Sequence, residues 1–114
     1  MKVFDTKYTI VIDDLSFRAI LGLLENERKE EQLVVVCAKI GYEDKKEYVD
    51  YAKVCDIIQN TIIEGKFKLI EDAIDEVESK LKESFPQMKA LYLKIRKPEI
   101  LKNALAGVEI LRKY

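Results

Sequence analysis

The most regular hydrophobic pattern of the chain runs from Leu69 to Phe85 and predicts an α-helix. Apolar side chains recur there at steps of three and four residues, which places them on one buried face. The members of this stripe are Ile70, Ala73, Ile74, Val77, Leu81 and Phe85. Pro86 follows, and the helix is expected to end before it because proline cannot continue helical hydrogen bonding.

A second helix is predicted upstream, from Tyr51 to Gly65. Asp50 is a suitable N-cap, because its carboxylate can accept a hydrogen bond from the first turn, and Gly65 is a typical helix-ending residue. The apolar stripe contains Tyr51, Cys55, Ile58 and Ile62. Tyr51 is therefore either the first member of a core stripe or a phenol exposed at the start of the helix, and the pattern alone favours the core.

Four segments have the patterns of β-strands. Lys7–Asp13 alternates polar and apolar residues, as a half-buried strand does, until Asp13-Asp14 interrupts it. Leu33–Ile40 is almost continuously apolar, which predicts that both of its faces are covered, one of them by a neighbouring subunit. Leu91–Lys97 alternates cleanly, and Gly107–Arg112 is the last predicted strand.

The order of these elements is β-β-α-α-β-β, with the charged loops Glu25–Gln32 and Gly41–Val49 on either side of the second strand. This order predicts an α+β fold in which an antiparallel four-stranded sheet carries both helices on one face. The edges of such a sheet are exposed and need partners.

Composition indicates one soluble, globular domain spanning residues 1–114, since 48% of the residues are apolar and 36% are charged. The net charge of -1 gives no general attraction to nucleic acid or to an anionic membrane. No apolar signal region is present, and the longest apolar stretch, Leu33 to Ala38, is far too short to span a bilayer. A cytoplasmic location is therefore expected.

Residue types that are rare or missing exclude several kinds of metal and catalytic site. Cys37 and Cys55 form no paired-cysteine motif, so free buried thiols are predicted rather than a disulfide. The chain has no histidine. Histidine-zinc sites and catalytic Ser/His or Cys/His pairs are thereby excluded.

Two charged residues are candidates for chemistry. Glu71 lies in the first turn of its predicted helix, where free backbone amides keep a carboxylate ionised. Such a carboxylate can bind a flat pair of hydrogen-bond donors on a ligand. The favoured interpretation is nevertheless an ordinary glutamate that stabilises the start of the helix. Lys97 falls on the apolar face of its strand. It either reaches out to water or is held on an apolar surface, where burial lowers a lysine pKa and favours proton transfer. The pattern leaves both interpretations of Lys97 open.

Several short motifs, in this order and within this succession of elements, resemble the dihydroneopterin aldolases of folate biosynthesis. The motifs are Ile20-Leu21-Gly22 followed five residues later by Glu27, then Asp50-Tyr51-Ala52, Leu69-Ile70-Glu71, Lys97-Pro98 and Gly107-Val108-Glu109-Ile110. The resemblance implies a tunnelling fold in which four subunits close their sheets into a barrel, often stacked into an octamer. The sites would lie between adjacent subunits.

The same resemblance implies a reaction without metal, Schiff base or cofactor. In it, 7,8-dihydroneopterin is cleaved to 6-hydroxymethyl-7,8-dihydropterin and glycolaldehyde, and the pterin ring accepts the electrons. Glu71 would bind the 2-amino and N3 hydrogens of the ring, Lys97 would transfer protons through a water, and Tyr51 of the neighbouring subunit would exchange a proton with the carbon left after cleavage. Glu27 would contact the hydroxylated tail of the substrate, unless Glu25, Glu30 or Glu31 takes its place. Ile70 and Asp50 are carried over as further substrate-binding positions.

The chain departs from the family pattern in two places. Many members carry a Tyr-His pair where this chain has Ile20-Leu21, and the stretch between Lys97 and Gly107 is compact. Two alternatives therefore remain. One is the dihydroneopterin triphosphate epimerase branch, for which Lys94, Arg96 and Lys102 could receive the triphosphate; the other is a non-catalytic, ring-forming pterin-binding protein.

Overall fold

The computed structural model describes residues 4–114, and in this part of the chain four antiparallel strands form one sheet in the order β1-β2-β3-β4. The strands are β1 (Tyr8–Ala19), β2 (Gln32–Tyr42), β3 (Ala90–Lys97) and β4 (Ala106–Lys113). The helices are α1 (Glu25–Lys29), α2 (Tyr51–Gly65) and α3 (Ile70–Ser84), with a short 3-10 turn at Lys45–Glu47. The predicted β-β-α-α-β-β order is confirmed, with α1 as an addition. Within residues 4–114, no helix has both the length and the apolar character needed to cross a membrane.

The hydrophobic core lies between one face of the sheet and the two long helices. The fully buried residues of the sheet are Val34, Val36, Ala38, Ile40, Leu91, Leu93 and Ile95. Facing them from the helices are Val54, Ile58, Ile62, Ala73, Ile74, Val77 and Leu81. The predicted α3 stripe and the predicted alternation of β3 both account for this core, so the placement of both helices on one face is confirmed.

The expectation that both faces of β2 are covered, one of them by a neighbouring subunit, stays a prediction. Val34 and Val36 are buried, whereas Val35 and Cys37 are half-exposed on the helix-free face. A continuous apolar run is compatible with cover on two faces, but the helices of one chain cover only one of them. Cys37 and Cys55 have free thiols, as predicted, and both are half-buried.

Asp13-Asp14 interrupts the first strand, as predicted, but the strand continues beyond it. The pairing with β2 shifts by one residue between Ile12 and Leu15 and then continues to Ala19, so the two aspartates form a β-bulge. Asp14 has a left-handed backbone with φ 54°, a conformation that aspartate tolerates. The bulge has a packing reason: Ile12 and Phe17 are five positions apart, and only an inserted residue brings both onto the core face.

The predicted cap of α2 is confirmed, because the Asp50 carboxylate accepts a hydrogen bond of 2.9 Å from the N–H of Ala52. The predicted end of the helix at Gly65 is confirmed, and Lys66, which follows it, takes the left-handed conformation with φ 45°. Gly65 is also needed for space, since a Cβ atom there would clash with the ring of Phe67.

Candidate active site

A buried ion pair joins the end of β3 to the segment that follows β1. Lys97 is the last residue of β3, and its Nζ lies 2.8 Å from Oε2 of Glu27 in α1. The Glu27 side chain is 5% exposed and the Lys97 side chain 14% exposed. The interpretation of Lys97 as a side chain that reaches out to water is therefore wrong: its ammonium group is held inside by a carboxylate.

Glu27 does not lie in a charged loop as predicted, because residues 25–29 form the short helix α1. Its Oε1 accepts a hydrogen bond of 3.3 Å from the N–H of Leu24, and its Oε2 accepts bonds from Gln32 at 2.7 Å and from Lys97. Burial by itself raises the pKa of the Glu27 carboxyl, but the hydrogen bonds from Lys97, Gln32 and Leu24 together hold this pKa below its usual value. Glu27 is therefore a buried, ionised carboxylate.

Gly22 makes room for this carboxylate. Its backbone has φ 141°, a region that residues with a side chain rarely adopt, and a Cβ atom there would clash with the carboxylate carbon of Glu27. The N–H of Gly22 donates a bond of 3.0 Å to the carbonyl of Phe67. The glycine and the glutamate five positions later, noted as a motif, are thus a packing pair.

Gln32 is a site residue that sequence reasoning assigned only to a loop. It opens β2, and its Nε2 donates hydrogen bonds of 2.7 Å both to the carbonyl of Leu21 and to Oε2 of Glu27. The side-chain amide therefore fixes the orientation of the Glu27 carboxylate. No local pattern marks this role, since it depends on where β2 starts relative to α1.

The residues at the start of α2 are placed differently from the expectation. Tyr51 is 66% exposed, so the preference for a core position is wrong; the buried positions of α2 are Val54, Ile58, Thr61 and Ile62. Asp50 is exposed beside it as the N-cap. Within residues 4–114, neither side chain is hydrogen-bonded to Glu27 or Lys97. The phenol of Tyr51 is available to another molecule.

Glu71 is the second residue of α3 and lies in its first turn, as predicted. Its side chain is exposed, while the neighbouring Ile70 is half-buried against the core. A first-turn carboxylate faces free backbone amides at the positive end of the helix dipole. Glu71 is thus accessible to a ligand but is not in contact with the Glu27–Lys97 pair in a single chain.

A cleft of about 140 Å³ opens beside the ion pair, and its lining includes Glu27, Gln32, Glu99 and Ile100. Small-molecule sites commonly measure at least about 300 Å³. This cleft is therefore smaller than a typical small-molecule site. Within residues 4–114, no group of three or more Cys, Asp or Glu side chains is arranged to hold a metal ion.

The antiparallel sheet with both helices on one face places the chain in the class of tunnelling-fold proteins. The family model of dihydroneopterin aldolase, FolB, matches residues 10–111. The chain belongs to the dihydroneopterin aldolase family.

Solved structures of this family share the fold. A Vibrio cholerae protein assigned as a dihydroneopterin aldolase superimposes with a TM-score of 0.85 at 23% identity, covering 94% of this chain and 98% of the other. The E. coli dihydroneopterin aldolase, solved with neopterin, gives a TM-score of 0.82 at 22% identity over 92% and 98% of the two chains. The Burkholderia thailendensis enzyme, bound to guanine, gives 0.78 at 18% identity over 94% and 91%. A comparison with curated proteins gives no match.

Proposed function

We propose that this protein is a metal-independent dihydroneopterin aldolase, active as one domain over residues 1–114. The observation that carries the proposal is the buried pair of Lys97 and Glu27, joined at 2.8 Å. Both residues stand at positions that match the family motifs, and the family model covers residues 10–111. The substrate is 7,8-dihydroneopterin, and the products are 6-hydroxymethyl-7,8-dihydropterin and glycolaldehyde.

In the proposed reaction, the bond between the first and second carbons of the substrate side chain breaks. The ammonium group of Lys97 first donates a proton to N5 through a water, and the amine that remains accepts the proton of the second carbon's hydroxyl through the same water, while the electron pair of the broken bond moves into the protonated N5 imine of the pterin. Tyr51, supplied by the neighbouring subunit, then delivers a proton to the first carbon, and the proton on N5 leaves through water and restores the phenol. A phenol can donate and accept a proton, and the exposure of Tyr51 supports this role.

The remaining positions bind the substrate. Glu71 pairs with the 2-amino and N3 hydrogens of the ring, with Ile70 and Asp50 beside the ring. Glu27 contacts the hydroxylated tail and, through its bond to Lys97, fixes the position of the ammonium group. Among the acidic residues of this segment, Glu27 is favoured because it is buried against Lys97, whereas Glu25, Glu30 and Glu31 are exposed.

The proposed active form is a homotetramer or homo-octamer in the cytoplasm, with each site between two subunits. Three observations support this assembly: the cleft of one chain measures about 140 Å³, Tyr51 is 66% exposed, and the helix-free face of β2 is half-exposed. A second subunit would enlarge the cleft and bring its own Tyr51.

The test is an incubation of the purified, metal-stripped protein with 7,8-dihydroneopterin, followed by chromatography of the products. Formation of both 6-hydroxymethyl-7,8-dihydropterin and glycolaldehyde, lost in Lys97→Met, is the expected result. An epimer as the sole product would replace the proposal with the epimerase activity. Tight pterin binding without turnover would replace it with the non-catalytic binder.

A further inference from the structure

A single arginine joins the segment that carries Glu27 to the loop that leads into Glu71. Arg28 lies in α1, next to Glu27. Its Nη1 donates hydrogen bonds of 3.2 Å to the carbonyl of Gly22 and to the carbonyl of Phe67, and its Nη2 donates a bond of 2.9 Å to the carbonyl of Lys66. The guanidinium therefore connects backbone positions on two segments that are far apart in sequence.

The geometry of these acceptors favours arginine for a physical reason. Lys66 and Phe67 follow directly after the last residue of α2, where unpaired carbonyls and the negative end of the helix dipole attract a cation. A planar guanidinium has five donors on a fixed fork and can serve three separated carbonyls at once, whereas an ammonium group carries its three donors on one nitrogen atom. Lysine at position 28 would keep the charge but would not reproduce the connection.

The two connected segments carry the two carboxylates of the proposed site. Gly22 packs directly against the Glu27 carboxylate, so its backbone sets where that carboxylate lies. Lys66 and Phe67 lie just before Leu69, the N-cap of α3, and Glu71 is in the first turn of that helix. The bond from the Gly22 N–H to the Phe67 carbonyl runs beside the guanidinium and depends on the same alignment.

We propose that Arg28 is a positioning residue that fixes the Glu27 segment relative to the start of the Glu71 helix. This inference rests on the proposed function, in which Glu71 holds the ring of the substrate and Glu27 holds its tail. Arg28 touches neither the substrate nor the reacting atoms. Its effect is to set the separation of the two binding groups before substrate arrives, which lowers the cost of ordering them on binding.

The test compares Arg28→Lys and Arg28→Met with Lys29→Gln, a control on the same helix whose side chain is 70% exposed and pairs with Glu25. Both Arg28 variants should raise KM for 7,8-dihydroneopterin by about tenfold, the factor that one lost charge-assisted hydrogen bond represents, while kcat changes less. Lys29→Gln should leave both constants at wild-type values. KM reports on the folded fraction alone, so a variant that folds incompletely still gives a valid result. An unchanged KM in both Arg28 variants would overturn the inference.

A second readout separates the inference from the proposed function. Hydrogen exchange of the Gly22 amide, which bonds to Phe67, should become about tenfold faster in both Arg28 variants and remain unchanged in Lys29→Gln. This measurement needs no substrate. Wild-type protein that neither binds nor cleaves the pterin would refute the proposed function, and the exchange rate would then decide alone whether Arg28 fixes the two segments. Equal exchange in wild type and both Arg28 variants would refute that as well.

Discussion

The ion pair of Glu27 and Lys97 should be strongly coupled, and a double-mutant cycle with Glu27→Gln and Lys97→Met measures that coupling. At the observed separation of 2.8 Å, attraction of two unit charges in an effective dielectric constant near 20 amounts to about 6 kcal/mol. Removing both groups from water opposes this by several kcal/mol, less for Lys97 because 14% of its side chain remains exposed. A net coupling of about 2 kcal/mol is expected.

The single variants should differ from the double variant in a characteristic way. Lys97→Met leaves the Glu27 carboxylate buried with only Gln32 and the Leu24 amide as donors, so we expect a loss of about 3 kcal/mol of unfolding free energy. Glu27→Gln should cost about 2 kcal/mol. The double variant removes the uncompensated charge, so its loss should stay near about 3 kcal/mol rather than reach the sum.

The assay is urea unfolding at pH 7 and at one fixed protomer concentration, since the free energy of unfolding of the proposed assembly would depend on concentration. The matched control is the cycle of Glu25→Gln with Lys29→Met. These two charges are 3.0 Å apart, a similar distance, but their side chains are 84% and 70% exposed, so a coupling below about 0.5 kcal/mol is expected. Equal coupling in the two cycles would show that burial does not strengthen the Glu27–Lys97 pair and would refute the reasoning.

Three further outcomes are expected. Because the folded pKa of Glu27 lies below its ordinary value of 4.5, the ionised carboxylate contributes fully to stability above that value, and this contribution is lost as the pH falls through the folded pKa. The difference in urea stability between wild type and Glu27→Gln should therefore be constant from pH 6 to 7 and shrink below about pH 4.5. A constant difference at all pH values would contradict the lowered pKa of Glu27. Gly22→Ala should lower the unfolding free energy by about 2 kcal/mol or more and reduce turnover, because the methyl group displaces the Glu27 carboxylate and the backbone has φ 141°. Unchanged stability and unchanged turnover would disprove the packing role of Gly22. Glu71→Ala should weaken pterin binding measured by titration, while Tyr51→Phe should slow product formation with binding preserved, and identical effects of the two changes would argue against the assigned roles.

The elements that could be predicted from the sequence are those whose pattern repeats within one element. The stripe of α3 and the alternation of β3 each place several residues on one face, so a single misjudged residue does not change which face is predicted to be buried. The helix α1 has only five residues and is too short for a periodic pattern. Tyr51 shows a different limit: two overlapping stripes fit α2, and the one that is buried starts at Val54 rather than at Tyr51.

The ion pair could not be predicted because it depends on positions distant in sequence. Glu27 and Lys97 are 70 positions apart, and their contact requires both the position of the end of β3 beside α1 and the missing side chain of Gly22. The alternation of β3 depends only on neighbouring residues and correctly places Lys97 on the apolar face. It does not identify Glu27 as the partner of Lys97, and this partner determines whether the ammonium group is buried or exposed to water.

The residues of the proposed site fall into two groups that are held in different ways. Glu27 and Lys97 are fixed within one chain by a direct bond, by Gln32 and by the space at Gly22. Tyr51 and Glu71 lie at the N-terminal ends of two helices and are exposed. Fixing a charged pair in advance removes the cost of arranging it when a ligand binds, whereas in the proposed assembly the exposed groups are ordered only by the substrate and a second subunit. Arg28 connects the Glu27 segment with the start of the Glu71 helix, because it bonds to Gly22 on one side and to the loop before α3 on the other.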